Sequence, residues 1–98
     1  MAEHLNQPAP GPELNPFSNM GKPVPPDARQ KGYDECRNMG LDQADAWAAT
    51  NAVAEQLERD KPYEAQKASM QYLDLSSTYR LMAAILCAIP AGQPEAEA

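Results

Sequence analysis

The stretch that decides the fold is Pro62–Ile89, PYEAQKASMQYLDLSSTYRLMAAILCAI. After Pro62 it contains no proline or glycine, and it holds most of the chain's large apolar side chains. The spacing predicts one helix over 62–89. Pro62 suits a first helical turn, where an N–H is not needed. Asp60 precedes it as the expected N-cap, and Glu64 puts negative charge at the positive end of the helix dipole. Pro90 ends the helix by pushing Ile89 out of the α region. At about 100° per residue, Leu75, Tyr79, Met82, Leu86 and Ile89 form one apolar stripe. Met70, Leu73, Leu81, Ala84 and Ala88 form a second, on the opposite side. A helix apolar on two sides is sandwiched, so the second stripe is assigned to an oligomer interface. The uncharged run Leu81–Ile89 is far shorter than the about 20 apolar residues a membrane span needs. It reads as a buried helix end, with no membrane contact.

Upstream, Asp42–Arg59 (DQADAWAATNAVAEQLER) predicts a second helix, over 43–59. Asp42 is its N-cap and Asp45 supports the first turn. Its alanines favour helix and permit close approach by a neighbour. Trp47, Thr50, Ala54 and Leu57 mark its apolar stripe. Asp60-Lys61 leaves too little chain for anything but a tight return, so the two helices are expected to form an antiparallel αα-hairpin. Asp27–Met39 predicts a short helix over 28–39, capped by Asp27 and ended by Gly40, with Tyr33, Cys36 and Met39 facing the body. Gly32 weakens its middle. The expected fold is all-α: a short helix, then an antiparallel αα-hairpin, with an extended Pro-rich N-terminal arm. Residues 1–26 are the extended or disordered arm, 27–92 the helical domain and 93–98 a flexible tail.

Seven of the ten prolines lie in the first 26 residues. PAPGP and KPVPP favour polyproline-type extension. Leu14, Phe17, Met20 and Val24 are spaced apolar residues in this arm, and are expected to bind a neighbouring protein. Asn15-Pro16-Phe17 resembles the tripeptide read by EH domains. Pro23 to Pro26, with Lys22 beside it, resembles the PxxP of SH3 ligands. Each resemblance spans only a few residues.

The chain has 98 residues and a formal charge of −6. It has no basic patch, which argues against direct nucleic-acid binding. A folding unit of this size is marginal alone, so a homo-oligomer or a permanent protein partner is expected. Cys36 and Cys87 form no close-spaced motif and read as free core thiols in a reduced compartment. MAEHLNQPAP lacks the basic and apolar regions of a signal peptide. The expected location is cytoplasmic, or a virion assembled there.

Catalytic chemistry finds few carriers. His4, the sole histidine, lies in the arm. With the two cysteines it falls short of the four ligands of a structural zinc site. The carboxylates read as helix starts and solvated ion pairs. No catalytic residue, cofactor or metal is expected. Tyr33, Tyr72 and Arg80 are the candidate lining of a ligand pocket between protomers, able to stack on and pair with a small anion. The expected function is a non-catalytic assembly or adaptor protein. It would oligomerise through its long helix and bind a neighbour with its arm, as a component of a viral or phage particle could. The alternative is a small inhibitor or ligand-sequestering protein, such as a phage antagonist of a host defence enzyme or its nucleotide signal.

Overall fold

The computed structural model describes residues 16–90. A 3-10 turn, Pro16–Asn19, leads into four helices: α1 (Pro26–Asn38), α2 (Gln43–Glu58), α3 (Pro62–Ser69) and α4 (Leu75–Cys87). Among the described residues there is no strand, in keeping with the all-α expectation.

The local chemistry accounts for most boundaries. The Asp42 carboxylate accepts the Asp45 N–H at 2.8 Å and starts α2. Gly40, at φ +102°, ends α1 in the left-handed conformation that favours glycine. The Leu41 N–H then reaches back to the Cys36 carbonyl. Asp60 plays the same part after α2, at φ 59°, with the Lys61 N–H bonded to the Gln56 carbonyl. Asp60 is therefore the C-terminal stop of α2 and not the N-cap of the next helix. Lys61 holds that N-cap position, without a side-chain bond. Asp27 likewise lies within the first turn of α1, behind Pro25 and Pro26.

The single helix expected over 62–89 is two helices. Asp74 takes an extended backbone (φ −77°, ψ 179°), and its carboxylate accepts the Ser77 N–H at 2.8 Å. The Ser69 carbonyl receives the N–H groups of both Tyr72 and Leu73. Asp and Ser compete with helical hydrogen bonding through their side chains and are favoured at caps. The break re-aims the chain. α3 packs chiefly on α2, whereas α4 packs chiefly on α1. The hairpin expected between 43–59 and 62–89 is thus not formed as one helix pair.

The break also changes the two stripes. Leu81, Met82, Ile85 and Leu86 all turn inward, together with Thr78. They meet Val53, Ala54 and Leu57 of α2 and Ala28 and Cys36 of α1 in one core. Gly32 is buried where α1 meets both neighbours: a Cβ there would lie 2.7 Å from Ile85 Cγ1 and 2.9 Å from Thr50 Cγ2. The buried hydroxyls are paired. Ser69 and Thr78 hydrogen-bond at 2.8 Å, joining α3 to α4. Thr50 Oγ1 lies 3.7 Å from the buried Cys36 Sγ.

Residues 16–25 form a strap across the ends of α2 and α4, not a free arm. Asn19 is buried, and its Nδ2 donates to the carbonyls of Leu86 (2.8 Å) and Ile89 (3.2 Å). The Gly21 N–H bonds to the Leu57 carbonyl, and the Val24 N–H bonds to the Glu58 carboxylate at 2.8 Å. Arg29 pairs with the same carboxylate at 3.5 Å. Val24 is buried in the core and Met20 packs against it. With Val24 buried and Pro26 already inside α1, the PxxP sequence is part of the fold.

Candidate functional site

The residues assigned to partner contact fall in different places. Leu14 lies outside the described residues. Phe17 is exposed, while Met20 and Val24 face the protein's own core. Of the expected oligomer interface, Leu81 is fully buried and belongs to the core of the chain itself. Leu73 and Ala88 pack against that core, and Ala84 is half-buried. Only Met70 of that set is exposed. The reason is the reset of helical phase at Asp74, which turns the second stripe inward along α4.

The candidate pocket residues also part. The Tyr33 ring stacks on Trp47, with centroids 4.2 Å apart and planes at 18°. This contact ties α1 to α2 and covers one face of Tyr33. The Arg80 guanidinium pairs with Glu35 of α1. Tyr72 lies in the α3–α4 turn and is exposed. Each of the three thus has its own setting, and none lines the cavity described next.

A cavity of about 640 Å³ opens between the strap, the start of α1 and the end of α4. Its walls are Gly21, Lys22, Pro23, Pro25, Asp27, Ala88, Ile89 and Pro90. Lys22 supplies a cation, although its Nζ already donates to Asn19 Oδ1 at 3.1 Å. Sequence reading missed this site because its walls come from the two ends of the folded unit.

A second feature is an apolar corner. Met70, Tyr72, Leu75 and Tyr79 are 50%, 38%, 46% and 46% exposed, although they lie within ten residues of one another. Leu75 and Tyr79 are one helical turn apart and share a face of α4. Their exposure is a matter of helix face: Thr78, in the same turn, is fully buried and bonded to Ser69, while Leu75 and Tyr79 lie outward.

Cys87 is exposed, contrary to its expected place in the core, and both cysteines are free. Burial pushes the Cys36 thiol pKa up. Among the described residues no group of three or more His, Cys, Asp or Glu could hold a metal ion. Among the same residues no helix is long and apolar enough to cross a membrane.

The chain matches no protein-family model, no curated protein and no solved structure. Large apolar side chains clustered on a small protein are suited to contact with another polypeptide. The cavity could admit a small ligand between mostly apolar walls that also carry Lys22 and Asp27.

Proposed function

We propose that this protein is a non-catalytic assembly or adaptor protein whose work is to bind other polypeptide chains. The observation that carries this reading is the apolar corner of Met70, Tyr72, Leu75 and Tyr79. Clustered apolar area of this kind loses its contact with water when a partner covers it, and that is the main favourable term in protein association. The N-terminal residues before the strap, with Leu14, supply a second point of attachment to a neighbour. A particle or larger complex assembled inside a cell is a fitting setting.

The test is a photo-crosslinking amino acid, p-benzoylphenylalanine, in place of Tyr79 in the full-length chain within its source cell. Adducts to a defined polypeptide, lost when Met70 and Leu75 are replaced by glutamate, are expected. Their absence overturns the reading. Deleting residues 1–15 tests the arm separately, because it leaves the strap in place. Incorporation into the complex should fall while helix content stays constant.

The second reading, ligand sequestration, is favoured by the cavity beside Lys22. It predicts a ligand-dependent rise in melting temperature that Lys22→Ala diminishes.

A further inference from the structure

We infer that the cavity between the strap, the start of α1 and the end of α4 takes a zwitterion with an apolar body, namely an apolar α-amino acid, whose ammonium group pairs with Asp27 and whose carboxylate pairs with Lys22. This rests on the ligand-sequestration reading above and names the chemistry of its ligand.

The walls are short of hydrogen-bond donors. Pro23, Pro25 and Pro90 have no N–H. Four other backbone N–H groups of the wall are already used within the chain: Gly21 donates to the Leu57 carbonyl, Lys22 to Asn19, Ala88 to Ile85 and Ile89 to Leu86. Acceptors, by contrast, are left over. The carbonyls of Gly21, Lys22, Pro23 and Ala88 receive no N–H among the described residues. The Asp27 carboxylate is exposed and has neither a hydrogen bond nor an ion pair among those residues. Such a wall suits an ammonium group, which brings three donors and no acceptor. It leaves most oxygens of a phosphate unmatched, which sets a nucleotide aside.

Charge completes the choice. Lys22 and Asp27 stand in the same wall but form no ion pair with each other. The Lys22 ammonium donates to Asn19 Oδ1 at 3.1 Å. Asn19 is neutral, so the lysine keeps its charge uncompensated there and has two of its three donors to offer. A plain amine in the cavity leaves Lys22 without a counter-charge. A plain carboxylate leaves Asp27 without one. A ligand that carries both groups matches both, through charge-assisted hydrogen bonds, which are the stronger kind. Its apolar side chain lies against the proline rings and Ala88, where it loses contact with water. The volume of about 640 Å³ is within the range of about 300–1,000 Å³ usual for small-ligand sites, so a large side chain such as that of phenylalanine fits better than a methyl group.

The test is an amide chemical-shift titration of the full-length, isotope-labelled chain with four probes. These are L-phenylalanine; phenethylamine, which lacks the carboxylate; phenylpropionate, which lacks the ammonium group; and adenosine monophosphate. Phenylalanine should shift the signals of Gly21, Lys22, Asp27 and Ala88. Each half-ligand should bind at least about tenfold more weakly, the worth of one hydrogen bond to a charged group. Asp27→Asn and Lys22→Ala should each weaken phenylalanine by a similar factor. The comparison of probes uses the unaltered chain, so it decides the matter without the variants. A half-ligand that binds as tightly as phenylalanine overturns the zwitterion and keeps the sequestration reading. So do shifts with adenosine monophosphate alone. No shift at these amides with any of the four probes overturns both.

Discussion

Gly32 of α1 lies so close to Ile85 of α4 that a Cβ built on it would sit 2.7 Å from Ile85 Cγ1. Thr50 of α2 closes the same point, its Cγ2 2.9 Å from that Cβ. Three helices meet at one missing side chain. Gly32→Ala gains about 1 kcal/mol of helix propensity but must push apart side chains in a close-packed interior. Overpacking of this kind costs about 1–3 kcal/mol, occasionally more. A lower urea midpoint is expected for Gly32→Ala. Thr50→Ser, which removes Cγ2, should return part of the loss in the double variant.

Asn19 holds the strap to the end of α4. Replacing it with alanine removes both donors from the Leu86 and Ile89 carbonyls. The Leu86 carbonyl keeps the Ile89 N–H at 3.2 Å, so the loss falls chiefly on the Ile89 carbonyl; an unsatisfied buried acceptor costs about 1–3 kcal/mol. The local effect should be sharper than the global one. Amide hydrogen exchange at Gly21 and Val24, whose N–H groups bond to Leu57 and Glu58, should accelerate more than exchange in the middle of α2.

The Asp74 carboxyl is held below the usual aspartate range, chiefly by the Ser77 N–H, with smaller help from the Ser77 and Ser76 hydroxyls. A folded-state pKa below the unfolded value makes the carboxylate a stabilising group above the unfolded pKa of about 3.9. That contribution is lost as pH falls through the folded value. Melting temperature should therefore drop in acid. Asp74→Asn, which caps without a titrating charge, should flatten that part of the profile. An unchanged profile in the variant would assign the acid sensitivity to other carboxylates.

The two thiols should separate by reactivity. Cys87 is exposed, whereas Cys36 is buried with its pKa raised by burial, more than the Thr50 contact lowers it. The thiolate is the reactive species. Iodoacetamide at about pH 8, near the ordinary thiol pKa, should label Cys87 in the native protein and reach Cys36 only in denaturant. Mass spectrometry of tryptic peptides gives the answer. Because the folded pKa of Cys36 is raised, its contribution to stability is complete below the ordinary thiol pKa and is lost as pH climbs above it.

Several features of the fold were legible in the residues. Asp42 and Asp45 announced the start of α2, and Gly40 the end of α1. Thr50, Ala54 and Leu57 of the expected stripe are buried, but Trp47 at its head is exposed and stacks on Tyr33. The split between α3 and α4 was also written locally, in Asp74 followed by Ser76 and Ser77. Apolar periodicity concealed it, because residues on either side of a phase reset still fall at helical spacings. The exposed corner that bears the proposed contact followed from that same missed cap.

What the sequence determined alone was helical character, because caps, breakers and side-chain periodicity act within a few residues of one another. What tertiary structure decided was which helical faces are covered. The strap is the clearest case: its prolines predict extended chain, but its placement depends on Asn19 reaching carbonyls 67 and 70 residues away. Gly32 is another, since a residue that weakens an isolated helix becomes the point where three helices touch. Long-range contacts of this kind form only when the chain has collapsed and buried polar groups must find partners. No local pattern of residues encodes them.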